Sequence, residues 1–547
     1  MFKATPHNHR LKPLCTSCLH IFRHSTQILL ERRQPYCVGF MHSDKKSDCA
    51  IRTQWSCGVA LTVDLRWIVM KGMRPNMRAR KCIAAALALT LTAAAAGCGS
   101  SSGSSSKKDD SSFVETVTVA SSDDIEAIKE GEPTEIEWFS YFDINPTRGS
   151  PEKRTDLALF EQKGGTIKYT RTGSMKKYDD LAARLLADDP PDMFWYETAM
   201  TFPANCIKGM FQPIDPIVDF DSPIWADVKE TASQYTLNGE HYVAPVDFGA
   251  LSVMTYNVDV FEDNSLDDPY ELYLEGKWDW DAWYELMTEY VENAPADEER
   301  WGVNGWFAPF IFHSTGKSII QYDAEKDEYV NNIEDPDLDR AAQLLYNLQK
   351  DGLYNSNWIG SCSEAFNNHV LFYAMGTWAV TPKSGDNWAI VPMPKDPNSD
   401  TLYTTLAVNA YMWVKGSQKN DAMRCWLECA RIANTQEEYR EAGKEKFFVN
   451  QPYYTEQMYQ MMTEEVISNK FVRFFDPGYG ISTLLSDNDS ATNPTLEAVI
   501  PYLYTSVMKS DENDTQFTWS QLKEQYTPTL NSELKTFNDA YHEFIGK

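Results

Sequence analysis

The sequence predicts an α/β protein with a largely parallel sheet, and three features carry that expectation. Strand-like apolar runs alternate with amphipathic helical ones across residues 135–197. At 547 residues the chain is too long for one core, so two domains are expected, with an interleaved chain path allowed. Aliphatic and aromatic residues make up 43%, enough to fill such cores and too many for a disordered chain.

The elements follow in order. Glu135-Ile-Glu-Trp-Phe-Ser-Tyr-Phe142 alternates as a strand and ends in the loop Asp143-Ile-Asn-Pro-Thr-Arg148-Gly. A helix is expected over roughly residues 151–163, closed by Gly164-Gly165, and a second strand over Thr166–Thr170. From about Lys177 to Ala187, Tyr178, Leu181, Ala182, Leu185 and Leu186 recur at spacings of three and four, a helical stripe. Asp188-Asp-Pro-Pro ends that helix, because a residue before proline is pushed out of the α region. The apolar run Asp192-Met-Phe-Trp-Tyr-Glu197 is the third strand.

Charge divides the chain in two. Residues 1–97 hold 15 Lys+Arg against 4 Asp+Glu, whereas residues 98–547 hold 35 against 75. A body with that acidic excess is a poor partner for nucleic acid, whose phosphates need clustered cations. Only Cys206, Cys362, Cys425 and Cys429 follow residue 98, too sparse for a disulfide framework. Cys425 and Cys429 share one face of an apparent helix, where a bridge is geometrically awkward, so buried thiols are expected. Aromatic residues reach 13%, with 16 Trp. That abundance fits a large core, and it also fits a surface that stacks on the C–H faces of sugars.

Met77-Arg-Ala-Arg-Lys-Cys, the apolar run from Ile83 to Ala96, and Gly97 have the three regions of a secretion signal over residues 77–97. Ala95-Ala-Gly-Cys98 resembles the bacterial lipobox, with Ala95 where leucine is usual. The resemblance implies a diacylglycerol/palmitate anchor on Cys98, a plain cleaved signal being the alternative. Residues 98–133, rich in Gly and Ser and then acidic, are expected to form a flexible tether. Residues 1–76 precede the signal, lack sustained periodicity, and are expected to come from an over-extended gene start. Their Cys15-x-x-Cys18-x-His20-x3-His24 leaves too little loop between the pairs for a zinc finger.

Several segments together resemble the extracellular solute-binding proteins of family 1, the group containing maltose-binding protein. FEQKGGTIKYTRTGSMKKYDDLAARLLADDPPDMFWYE (Phe160–Glu197) carries the opening pattern. LNGEHYVAPVDFGALSVMTYNVDVF (Leu237–Phe261), GKWDWDAWYELM, FYAMGTWAV, WAIVPMPKDP and NAYMWVKGSQKNDAMRCWLECARIA follow in the family's order over roughly residues 134–435. In GKWDWDAWYELM, Asp279 or Asp281 is suited to cap a helix. The resemblance implies a two-lobe, type II periplasmic-binding-protein-like α/β fold with a ligand cleft between hinge-connected lobes. Lobe I is expected from residues 134–248 plus 392–433, and lobe II from 249–391 plus 434–547. Hinges would fall near Phe248-Gly249-Ala250, Val391-Pro392 and residue 433. Gly249 suits a hinge by its free φ, or alternatively relieves a strand bulge.

In open α/β sheets ligands sit beyond the carboxyl ends of the strands. That rule selects Tyr141, Asp143 and Arg148 after the first strand and Trp195, Tyr196 and Glu197 after the third. Asp247 and Phe248 lie at the first crossover, Trp306 and Phe307 lie in the glycine-flanked WGVNGWFAPF, and the resemblance adds Trp378. Stacking rings with carboxylates suit a sugar's faces and vicinal hydroxyls. Trp280 and Trp283, at helical spacing, and Trp138, inside a strand, are expected in the core. Asp487-Asn-Asp-Ser lacks the glycine and closing Glu of a calcium loop and reads as a solvated turn.

The body has no Gly-x-Ser-x-Gly, His-Glu-x-x-His, phosphate-loop or Cys/His quartet signature. A binding protein without turnover, metal or cofactor is therefore expected. It would be a monomer held on the extracytoplasmic membrane face, delivering a sugar or oligosaccharide to an ABC permease. A surface-anchored glycoside hydrolase, and a binding protein for a peptide or polyamine, are the alternatives.

Overall fold

The computed structural model describes residues 124–148, 151–174, 176–197, 201–486, 498–511 and 514–547. Residues 1–76, the signal at 77–97, Cys98, most of the tether and Asp487-Asn-Asp-Ser lie outside the described residues.

The expected alternation is present as β1 (Glu135–Ser140), α1 (Thr155–Gln162), β2 (Thr166–Arg171), α2 (Lys177–Leu186) and β3 (Met193–Trp195). Strand β1 stops two residues short of Phe142. The Trp138 Nε1–H donates to the Phe142 carbonyl (2.9 Å) and folds the chain out of the ladder. The principal elements that follow are β4 (Ala244–Ala250), β5 (Val253–Asn257), α3 (Trp280–Glu292), β6 (Trp301–Gly305) and α4 (Ala308–His313). Next come β7 (Val370–Met375), β8 (Trp388–Val391), β9 (Leu402–Thr404), β10 (Leu406–Trp413) and α5 (Asn420–Thr435). The chain closes with β11 (Phe471–Arg473), α6 (Val499–Ser506) and α7 (Trp519–Ile545). Asp279 caps α3 by accepting from the Asp281 and Ala282 N–H groups (3.1 and 3.0 Å).

Two sheets organise these elements. The first has the order β2-β1-β3-β10-β4, with β1 parallel to β2 and β3, and β10 antiparallel to both its neighbours. The second has the order β8-β5-β7-β6, with β7 parallel to β6 and β5 antiparallel to β7 and β8. The chain passes from the first sheet to the second between β4 and β5. It returns between β8 and β10 by way of β9, which pairs in parallel with β11.

The inner strands of the first sheet are largely buried on both faces, which is why Met193-Phe-Trp195 and Ala410-Tyr-Met-Trp413 read as continuous apolar runs. Ile136, Trp138, Met193, Tyr411 and Trp413 pack on one side with α1 and α5. Phe139, Phe194 and Met412 face the other way, into a core that also holds Tyr256, Trp280, Trp283 and Phe372. Cys425 and Cys429 are buried beneath α5 as free thiols, and Cys206 and Cys362 are likewise buried and unbridged.

Two features bind the C-terminal quarter to the rest. A Cβ on Gly480 would collide with the Phe202 carbonyl, so only glycine allows these backbones to approach so closely. Buried His313, at the end of α4, places its ring nitrogens 2.9 Å from Thr405 Oγ1 and 3.2 Å from Asp476 Oδ2. Tyr504 of α6 donates to the same Asp476 oxygen (2.6 Å), so helix, crossing segment and C-terminal turn share one polar knot.

Candidate functional site

Beyond the carboxyl ends of β1 and β3 the structure gathers Tyr141, Asp143, Trp195 and Glu197. Trp195 stands edge-on to Tyr411 (5.2 Å between centroids), Phe142 (6.0 Å) and Trp138 (6.3 Å), a corner that fixes its plane while leaving it half-buried. Tyr141 meets Phe142 edge-on at 5.2 Å. Asp143 accepts from the Asn145 N–H (2.9 Å) and Nδ2 (3.0 Å), an Asx turn that sets the path of the loop. Arg148 lies exposed further along that loop.

Glu197 forms an ion pair with Lys177, the first residue of α2. The Lys177 ammonium lies 5.6 Å from the Tyr141 ring centroid and 5.1 Å from that of Tyr178. An acid, a base and rings thus meet at one strand end, and the sequence reading missed the base. The signal was local, since Lys177 opens the very helix that the periodicity identified.

Asp247 sits on β4 opposite Asn409 of β10, whose Nδ2 lies 3.4 Å from its Oδ2. Pairing steps from Asn409↔Asp247 to Ala410↔Pro245, so Val246 is left out as a β-bulge. The freed Val246 carbonyl accepts from Arg431 Nη1 (2.6 Å); the same buried guanidinium donates to the Ile224 carbonyl (3.0 Å) and pairs with Asp227. Burial pushes the Asp247 carboxyl up from its ordinary value, against the opposing pull of the Phe248 N–H, Asn409 and Arg431. The bulge falls at Val246, whereas Gly249 pairs regularly with Ala407. Phe248 is largely buried beneath the Arg473 guanidinium, 4.4 Å from its ring centroid. Arg473 comes from β11, far along the chain, and no local pattern could have linked it to β4.

Trp306 follows β6. Its N–H donates to the Ala374 carbonyl (2.6 Å) and its own carbonyl accepts from Ser252 Oγ (2.9 Å), which ties it to the β4–β5 crossing. Trp378 follows β7 and is 49% exposed, its ring lying over Gly376 where a Cβ would collide with it.

Besides Phe248, the structure packs two more of the expected contacts into the interior. Tyr196 is 2% exposed and donates its hydroxyl to Tyr235 (3.3 Å). Successive side chains at a strand end point to opposite faces, so Trp195 and Tyr196 could not both look outward. Phe307 is buried between Trp283 and Tyr354, at 5.8 and 5.6 Å. Among the described residues no group of His, Cys, Asp and Glu has the geometry to hold a metal ion, and no helix is long and apolar enough to cross a membrane.

Two sheets joined by the β4–β5 and β8–β10 crossings, with rings and charges at the strand ends, define a two-lobe binding protein of the type II periplasmic kind. The family profile for bacterial extracellular solute-binding protein matches residues 149–431, and the chain belongs to that family. Among solved structures it is similar to the sugar-binding protein MalE from Xanthomonas citri. That match has 14% identity and a TM-score of 0.52, covering 74% of this chain and 98% of the other. UgpB from Mycobacterium tuberculosis, in complex with glycerophosphocholine, matches with 14% identity and a TM-score of 0.50 over 74% of this chain and 98% of that one. UspC from M. tuberculosis gives 14% identity and a TM-score of 0.50 over 73% and 100%. No curated protein sequence matches the chain.

Proposed function

We propose that this protein captures a carbohydrate outside the membrane and delivers it to an ABC permease, without chemical turnover. The observation that carries the reading is the cluster at the ends of β1 and β3. There Tyr141 and a half-buried Trp195 offer aromatic surface beside the paired Glu197 and Lys177. A sugar needs that combination: flat C–H faces stack on rings while vicinal hydroxyls bond to charged groups. Similar folds hold a sugar in one protein and glycerophosphocholine in another, so these side chains, and not the fold, favour a carbohydrate.

In this reading lobe I comprises residues 134–248 plus 392–433 and lobe II comprises 249–391 plus 434–547. Asp143, Asp247, Trp306 and Trp378 complete the cleft, and the crossings near Gly249, Pro392 and residue 433 act as hinges. A ligand with higher affinity for the closed arrangement shifts the population toward it.

A thermal-shift screen against mono- and oligosaccharides, peptides and polyamines tests the ligand class. At about 100 times its dissociation constant a ligand adds about 2.7 kcal/mol, which raises Tm by roughly 3 °C in a protein of this size. A sugar hit with the sugar recovered intact is the expected result. A shift from peptides or polyamines alone would overturn the ligand class, and release of a shortened glycan would make the protein a glycoside hydrolase.

The anchor is a separate part of the proposal. Cys98→Ala is expected to move the protein from the membrane fraction to the medium, as followed by immunoblot. Unchanged membrane retention would rule out lipidation at that position.

A further inference from the structure

One hollow among the described residues lies away from the cleft. A hollow of about 530 Å³ opens at the amino-terminal ends of β6 and β7, lined by Trp301, Asn355, Asn357, His369 and the carboxylates of Asp297 to Glu299. Trp301 begins β6 and Trp306 follows its other end, so the hollow stands about 16 Å from the cleft side of that sheet.

Its floor is built from amides. Asn304, buried on β6, donates Nδ2 to the carbonyls of Asn355 (2.8 Å) and Asn357 (2.7 Å), which pins the loop between them. Asn355 is 6% exposed; its Oδ1 accepts from the Asn357 N–H (2.9 Å). Its Nδ2 has no hydrogen-bond partner among the described residues, although it lines the hollow. Turned to the hollow, that donor is open to a ligand oxygen in place of water. His369, in the left-handed region (φ +54°), is held by the Trp301 N–H donating to its carbonyl (3.0 Å).

We propose that this hollow is a second binding site, for a neutral, hydroxyl-rich ligand such as one unit of a glycan chain. The carboxylates on its rim disfavour anions, because Arg300 and His369 lie against Glu298 alone (2.5 and 3.9 Å). The unpaired Asn355 donor disfavours ammonium ligands, which bring donors and no acceptor. A hydroxyl supplies both, and Trp301 supplies stacking surface.

The test uses the purified protein labelled with fluorinated tryptophan. Fluorine NMR follows Trp301 and Trp195, assigned with Trp301→Phe and Trp195→Phe, during titration with maltotetraose, cellotetraose or spermidine to about 20 mM. The expected result is a saturable shift of Trp301 with either sugar, with a dissociation constant near 1 mM. That shift persists in Trp195→Ala and weakens roughly five-fold in Asn357→Ala. The site is overturned if Trp301 stays still with both sugars, or moves only while Trp195 is intact. Movement with spermidine alone overturns the ligand class. A shifted Trp195 beside an unmoved Trp301 removes this site and leaves the cleft reading standing; the reverse removes the cleft reading for these sugars.

Discussion

Replacing Asp192 by alanine is expected to lower the stability of the first sheet by about 2–4 kcal/mol, the cost of leaving a buried N–H and hydroxyl without an acceptor, with the partly exposed Lys419 adding less. The carboxylate is almost wholly inaccessible and accepts three hydrogen bonds of 2.7 Å each, from the Glu137 N–H, Ser417 Oγ and Lys419 Nζ. One side chain therefore joins β1, the approach to β3 and the turn after β10. Alanine leaves an ammonium, a hydroxyl and an amide N–H without their acceptor. Asn at this position keeps an acceptor without the charge and should lose less. Calorimetry would show Tm falling by roughly 2–4 °C for Asp192→Ala. A fall of less than about 1 °C would mean that water replaces the carboxylate and that the knot does not hold the strands.

Replacing Trp195 by alanine is expected to weaken ligand binding by about 10- to 100-fold, the range for losing a central stacking ring. Trp195→Phe, which keeps a ring in the corner made by Trp138, Phe142 and Tyr411, should retain most of the affinity. Glu197→Gln removes the charge facing Lys177 and is expected to cost about ten-fold. Titration calorimetry with the sugar found in the screen measures all three. An affinity within two-fold of the parent in both Trp195→Ala and Glu197→Gln would move the binding site away from β1 and β3.

The contrast between Trp195 and Tyr196 shows what the sequence reveals and where it stops. Periodicity identified the strands and helices from residue 135 to 197, and it put Trp138, Trp280 and Trp283 in the core, where they are found. Those conclusions rest on neighbours in the chain, and local spacing is enough for them. The alternation of a strand should also have divided Trp195 from Tyr196, but the rule that ligands gather at strand ends was applied to both. Arg473 over Phe248 and Asn409 beside Asp247 depend on which distant strands pair, and no local pattern encodes that. The bulge at Val246 belongs to the same class, since it exists only because β10 lies alongside β4.

The four buried thiols have a practical consequence. Cys206, Cys362, Cys425 and Cys429 are shielded from solvent in the folded protein, so a maleimide dye would find none of them. A cysteine placed at Leu186 (90% exposed) and another at Leu274 (59% exposed) would each be open to labelling. Fluorophores at those two positions, one beside each sheet, would turn any change in the separation of the lobes into an energy-transfer signal, with the native thiols of the folded region left in place.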